Sequence, residues 1–288
     1  MGGMSKRVGI IGMGLLGSAL GQRLAGQGWE VIGYDPAVPE LGGLTMCGSA
    51  VELAGRCNTL MLSLPTSTVA AKVVRALGQA VTAQHSILDT TTGEPGEMEA
   101  LGQALAERGA AYLEANVAGS SKLARHGEAV LFLGGAAETI NRCEALLETL
   151  ATIRFHVGTV GAASRFKLVH NLILGLNRAA LAEGLAFAEA LGFDASDALA
   201  ILRETPATSA ALGAKGEKMA KRDFNPPQAR LSQHLKDVRL IRQLAEEIGA
   251  ATPLSDAHQT LLKRAEALGL GGSDNAAVIE ALRRENLY

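Results

Sequence analysis

The chain has 288 residues, 48% of them hydrophobic, and 27 basic against 29 acidic side chains leave a net charge of −2. That is enough apolar material for one large or two smaller packed domains, and it excludes a long-range pull on nucleic acid or an anionic membrane. Cys47, Cys57 and Cys143 form no CxxC pair and no metal-ligand spacing, so no metal is expected and a reducing cytoplasm fits better than a disulfide scaffold. No apolar run of about 18 residues suggests a membrane span, and no long apolar run precedes the first glycine motif, so no signal peptide is expected.

The first half of the chain alternates. "RVGIIGMG" reads as a strand ending in glycines, "SALGQRLAGQG" as a helix, and "EVIGYDP" as a second strand. "GSAVELAGRC" is helical with Ser49 as its cap, "TLMLSLP" a third strand, "TSTVAAKVVRALG" a helix and "SILDTTT" a fourth strand. A helix over "EPGEMEALGQALAERG" and strands over "AAYLEANV" and "AVLFLGG" follow. Alternation of this kind predicts a doubly wound parallel sheet, an α/β Rossmann architecture. From Gly161 onward the pattern is helical, punctuated by Pro206, Pro226, Pro227 and Pro253. The expected organisation is therefore a dinucleotide-binding domain over 1–160 and an all-α domain over 161–288. A helix over roughly 162–191 joins them; at ~1.5 Å per residue it spans about 45 Å.

Gly12-Met13-Gly14-Leu15-Leu16-Gly17 is a GxGxxG loop between a strand and a helix. In that setting the glycines let backbone approach a pyrophosphate at the helix N-terminus. Asp35 follows Gly17 by 18 residues at the end of the next strand. Its carboxylate suits both ribose hydroxyls of an adenosine and repels a 2′-phosphate, so NAD is expected over NADP. Leu64-Pro65 and Asp89 to Thr92 end the third and fourth strands, either as strand terminators and caps or beside a nicotinamide.

Residues 114–130, "EANVAGSSKLARHGEAV", contain Gly119, Ser120 and Ser121, which read either as a surface loop rich in turn formers or as a carboxylate-binding turn. Lys167 and Asn171 share one helical face. Lys167 is either a snorkelling surface lysine or a proton donor for carbonyl reduction. Lys236-Asp237 reads as a salt-bridging pair.

Taken in order, these segments resemble the β-hydroxyacid dehydrogenases, the 3-hydroxyisobutyrate dehydrogenase family, over about residues 6–285. "GIIGMGLLGSAL", "LDTTTGEP", "LEANVAGSSKLARHGEAVLFLGG", "GTVGAASRFKLVHN" and "RDFNPPQARLSQHLKD" are similar to its five motifs. The resemblance implies a catalytic Lys167, substrate contacts at Asn171 and at Gly119 with Ser120 or Ser121, and cofactor contacts at Thr92 and Lys236, beside those expected at Leu64 and Pro65 from the strand end. It implies hydride transfer between NAD and a small 3-hydroxy acid in a cleft between the domains, in a homodimer or homotetramer. Imine reductases and a non-catalytic NAD-binding protein are the alternatives. Ala118 and Ala163 stand where the family carries serine and glycine, and the aromatic residue often found before Lys236 is missing. These departures bear on the substrate.

Overall fold

The computed structural model describes residues 6–283. Among these, β1 (Arg7–Ile11), β2 (Glu30–Tyr34), β3 (Thr45–Met46), β4 (Thr59–Leu62), β5 (Ser86–Asp89), β6 (Ala111–Ala118), β7 (Val130–Gly134) and β8 (Ile153–Gly158) form one sheet. The first helices are α1 (Leu15–Gly26), α2 (Ala50–Arg56), α3 (Ser67–Leu77), α4 (Pro95–Ala106), α5 (Ser121–His126), α6 (Ala137–Arg142) and α7 (Glu144–Leu150). They are followed by α8 (Ala162–Ala190), α9 (Ala195–Arg203), α10 (Ala210–Ala220), α11 (Leu231–Ile248) and α12 (Pro253–Ala267).

The sheet order is β3-β2-β1-β4-β5-β6-β7-β8. From β3 to β6 every pairing is parallel, and the order reverses between β1 and β4, the switch point where open α/β sheets bind ligands. Period-2 side-chain alternation on the strands supplies two cores. Val8, Ile10, Val31, Met61, Leu88 and Leu113 pack with Leu20 and Leu24 of α1 on one face. Ile11, Ile32, Leu60, Leu62 and Ile87 pack with Leu53, Val74, Met98 and Leu101 on the other. Strands covered on both faces read as continuous apolar runs, as "VGII" and "TLML" do.

Three features differ from the expected alternation. β7 runs antiparallel to β6. The intervening segment holds only the short α5, less than the dozen or more residues that a parallel crossover requires. β3 is only two residues long, and β8 alternates Ile153, Phe155 and Val157 with Arg154 and His156 but leaves Ile153 and Phe155 exposed on the sheet edge. Their pairing with β2 and β7 makes them strands. α6 and α7 likewise fall where no helix is expected from the sequence pattern.

The chain divides into two compact units between Lys167 and Leu168. The dividing point lies inside α8, which runs unbroken for 29 residues. Among the described residues of the second unit the elements are helical. Leu181, Leu185, Leu199, Leu212, Met219, Leu231, Leu235 and Leu262 close its core around the 3-10 segment Asn275–Ala281. No described helix is long and apolar enough to cross a membrane.

Candidate active site

In the first unit the candidate residues follow the carboxyl ends of adjacent parallel strands. Gly12 follows β1, Asp35 follows β2, Leu64 and Pro65 follow β4, Thr92 follows β5, and Gly119 follows β6. The three loop glycines have different physical reasons. Gly12 has φ +97°, and a Cβ there would meet the Ser63 carbonyl oxygen at 2.3 Å. A Cβ at Gly17 would lie 1.9 Å from the Gly12 carbonyl oxygen. Gly14 has extended backbone (φ −70°), and a Cβ there would meet nothing within 4 Å. Packing within the chain thus requires Gly12 and Gly17. It does not require Gly14, whose bare backbone leaves open space.

The helix that begins there has its N-terminus bare. The helices α2, α3, α4, α9 and α10 are capped by Ser49, Thr66, Glu94, Asp194 and Ser209, whereas no side chain caps α1 and its first turn holds no acid. Side-chain caps are worth about 1 kcal/mol each, so a bare helix start at a switch point is suited to an anionic group. Asp35 braces the loop. Its Oδ2 accepts the Met13 amide and its Oδ1 the Ala37 amide, both at 2.8 Å. Each oxygen keeps a second lone pair for a hydroxyl donor. The loop, the uncapped helix and the carboxylate together fit the adenosine half of a nicotinamide dinucleotide.

Most of "DTTT" is structural. Asp89 is fully buried, accepts hydrogen bonds from the Thr91 amide (2.8 Å) and the Tyr112 hydroxyl (3.0 Å), and burial pushes its carboxyl up to about 6. Thr90 donates to the Leu62 carbonyl, and the Thr91 hydroxyl receives the Leu64 amide. Thr92 is partly exposed. The bonds from Thr90 and Thr91 fix the Leu64-Pro65 turn against the end of β5.

The stretch 114–130 is not a loop. It is the end of β6, a turn at Gly119 (φ +152°), and α5. The Ser120 hydroxyl caps α5 by accepting the Leu123 amide at 3.3 Å, and Ser121 is the first residue of that helix. The two departures at Ala118 and Ala163 prove to be neighbours, packed in one apolar cluster with Phe132.

Lys167 lies in the second turn of α8 and is 7% exposed. Burial of this degree removes the snorkelling explanation. A residue that the motifs leave unexplained sets the start of its helix. Glu114 on β6, 0% exposed, accepts the Gly161 amide at 2.5 Å, the Ser164 hydroxyl at 2.5 Å and the Ser164 amide at 3.3 Å. Burial raises its carboxyl above the usual range while these donors pull it down. An acid in the middle of an apolar strand is the sequence signal for such a buried anchor.

In the second unit, the Asn171 amide nitrogen donates to Asp237 Oδ2 at 2.9 Å, and Asp237 Oδ1 lies 2.8 Å from the Lys236 ammonium. Lys236, which the resemblance directs to the cofactor, and Asn171, directed to the substrate, are therefore joined through one carboxylate. Sequence reasoning had reached only the adjacent Lys236-Asp237 pair. The link to Asn171 spans 66 positions and has no local signal.

Comparison with known proteins defines the class. Residues 7–160 match the family of the NAD-binding domain of 6-phosphogluconate dehydrogenase, and residues 161–282 the family described as NAD-binding of NADP-dependent 3-hydroxyisobutyrate dehydrogenase. The chain is 30% identical to L-threonate dehydrogenase of Cupriavidus necator, covering 96% of each. It is 28% identical to glyoxylate/succinic semialdehyde reductase 1 of Arabidopsis thaliana, over 96% of this chain and 98% of that one. A solved 3-hydroxyisobutyrate dehydrogenase from Salmonella typhimurium superposes with a TM-score of 0.88 at 22% identity, covering 95% of this chain and 99% of that one. The fold and the sequence together define an NAD(P)-dependent oxidoreductase. The chain belongs to the 3-hydroxyisobutyrate dehydrogenase family of hydroxyacid dehydrogenases.

Proposed function

We propose that the protein interconverts a small 3-hydroxy acid and its aldehyde or keto acid, with NAD as cofactor and Lys167 as proton donor and acceptor. The observation that carries this reading is a buried lysine on the first turns of α8, in a helix whose start is anchored to the sheet by Glu114. When bound, a nicotinamide dinucleotide supplies or accepts the hydride. Met13 to Gly17 would hold its pyrophosphate by backbone amides, and Asp35 its ribose. Leu64, Pro65, Thr92 and Lys236 would complete the cofactor contacts.

Lys167 gives a proton to the substrate oxygen in reduction and removes it in oxidation. Asn171, held in orientation by Asp237, binds the substrate hydroxyl or carbonyl. Gly119, Ser120 and Ser121 serve the carboxylate through backbone amides at the start of α5 and through the Ser120 hydroxyl, which accepts the Leu123 amide in the cap and keeps its own proton to donate. Asp35 favours NAD by repelling a 2′-phosphate. The exposed apolar side chains of α8, including Phe166, Val169, Ile173 and Phe187, support pairing of two copies through this helix.

The test is steady-state turnover of a panel of 3-hydroxy acids with NAD and with NADP. The expected result is oxidation of at least one acid, with NAD preferred by more than about tenfold, roughly 1.4 kcal/mol. Absence of turnover across the panel would contradict the activity, and a tenfold preference for NADP would contradict the role of Asp35.

A further inference from the structure

The face of α8 that carries Lys167 and Asn171 continues into the second unit as a polar stripe. Gly175 is one turn beyond Asn171, and Arg178 lies seven residues on, about 10 Å along the axis at ~1.5 Å per residue. Gly175 keeps this face low. A Cβ there would come within 2.6 Å of His234 Nε2 on α11 and 2.8 Å of His258 Cε1 on α12. The two rings lie together over it, with centroids 5.1 Å apart. His234 is one turn before Asp237 on α11, so the rings continue the layer that begins with the Asn171–Asp237 hydrogen bond.

Arg178 is the anomaly in this stripe. Its side chain is 4% exposed, and its Nε and Nη1 have no hydrogen-bond acceptor. His258 is 3% exposed, with Nε2 also unpartnered. The nearby carboxylate is already committed: Asp274 accepts the Lys215 ammonium at 2.8 and 2.9 Å and the amides of Gln228 and Ala276. Two buried cations therefore share one saturated carboxylate. Burial lowers Arg178 to about 10, and burial with the Arg178 charge lowers His258 to about 4, so His258 is neutral near pH 7. A buried guanidinium with two of its nitrogens unpaired is costly to the fold. Arg178 shares the face of α8 that carries Asn171 and Gly175, and its charge acts on His258, whose ring lies over Gly175. A planar fork with a neighbouring N–H donor is the arrangement that receives a carboxylate.

We propose that Arg178 and His258 form a second anion subsite, which receives the distal carboxylate of a dicarboxylic substrate. The substrate class of the proposed reaction is then a hydroxy dicarboxylic acid or the corresponding semialdehyde acid. This proposal rests on the hydroxyacid reading of Lys167 and Asn171, but its binding test does not require turnover.

The probes are glutarate, with two carboxylates and no hydroxyl to oxidise, and butyrate, with one carboxylate on a similar chain. Each is titrated calorimetrically into the full chain with NAD present. The wild type is expected to bind glutarate at least tenfold more tightly than butyrate. In Arg178→Met the ratio falls to within twofold of one. Arg178→Lys, which keeps the charge and loses the fork, gives an intermediate ratio and covers the case in which the methionine variant does not fold. A wild-type ratio near one, or a ratio unchanged in whichever Arg178 variant folds, overturns the subsite. A wild type that prefers glutarate yet oxidises no hydroxy acid retains the subsite and removes the proposed function.

Discussion

The glycine loop of the first unit and the polar face of α8 in the second are built on different principles. The loop is a backbone construction: Gly12 and Gly17 are dictated by close approach to Ser63 and to each other, and Gly14 is left bare. The three glycines sit within six consecutive positions, so the motif can be read locally. The α8 face is made by side chains from distant segments. Asn171 meets Asp237, Gly175 lies under His234 and His258, and Arg178 is buried near Asp274. Chemistry held by backbone needs a fixed local spacing and can be recognised from it, whereas chemistry held by side chains across a helical unit leaves no local spacing to read. The family likeness is consequently sharp for the cofactor and blunt for the substrate.

The comparison breaks most visibly at the glycines. Gly12→Ala forces a positive-φ residue into the Ser63 carbonyl and should cost about 3 kcal/mol or more of stability, read by urea denaturation. Gly14→Ala should leave stability within about 0.5 kcal/mol and weaken NAD binding about tenfold, read by titration. Equal loss of stability in both variants would remove the distinction between packing glycine and ligand glycine.

Asp89 supplies a pH signature for the strand ends of the first unit. Its carboxyl is raised from 3.8 to about 6 by burial, so the folded state binds its proton more tightly than the unfolded state. The contribution is fully present below about pH 4 and is lost as pH rises through about 6, a fall of about 2–3 kcal/mol. Asp89→Asn should remove that fall, measured by denaturation at pH 4 and pH 7. An unchanged slope would show that Asp89 titrates normally.

The side-chain construction is tested by Asp237→Asn. That change keeps a group able to bond Asn171 and removes the charge beside Lys236. We expect kcat/KM to fall about tenfold, with stability changed by under about 1 kcal/mol. A full-activity variant would mean that Asn171 needs no charged partner. The smallest effect is expected for Asp35→Ser, which should raise the NADP to NAD ratio of kcat/KM about fivefold by removing one repulsive charge. No change in that ratio would assign the preference elsewhere.

Legibility followed the same division. The parallel strands β1, β2, β4, β5 and β6 were apolar enough to be read directly, and so were α8 to α12 with their proline and glycine stops. β3, two residues long, was not, and β8, although Ile153, Phe155 and Val157 alternate with Arg154 and His156, lies at an exposed sheet edge where pairing rather than burial defines the strand. Lys167 and Asn171 could be placed on one face from spacing alone. Glu114 shows in the sequence only as an acid in an apolar strand; its bonds to Gly161 and Ser164, and that of Asp237 to Asn171, span 47 to 66 positions and have no local signal. Ser120 was legible as a hydroxyl beside a glycine, but its role as the α5 cap depends on a helix of six residues too short to announce itself.

The central claim is that Lys167 handles the proton while the glycine loop holds the cofactor. Measurement of NAD affinity and of turnover in Lys167→Ala, on the best acid of the panel, separates the two. The account predicts an NAD dissociation constant within about twofold of wild type and a kcat lower by on the order of 10³. Turnover within tenfold of wild type would contradict it.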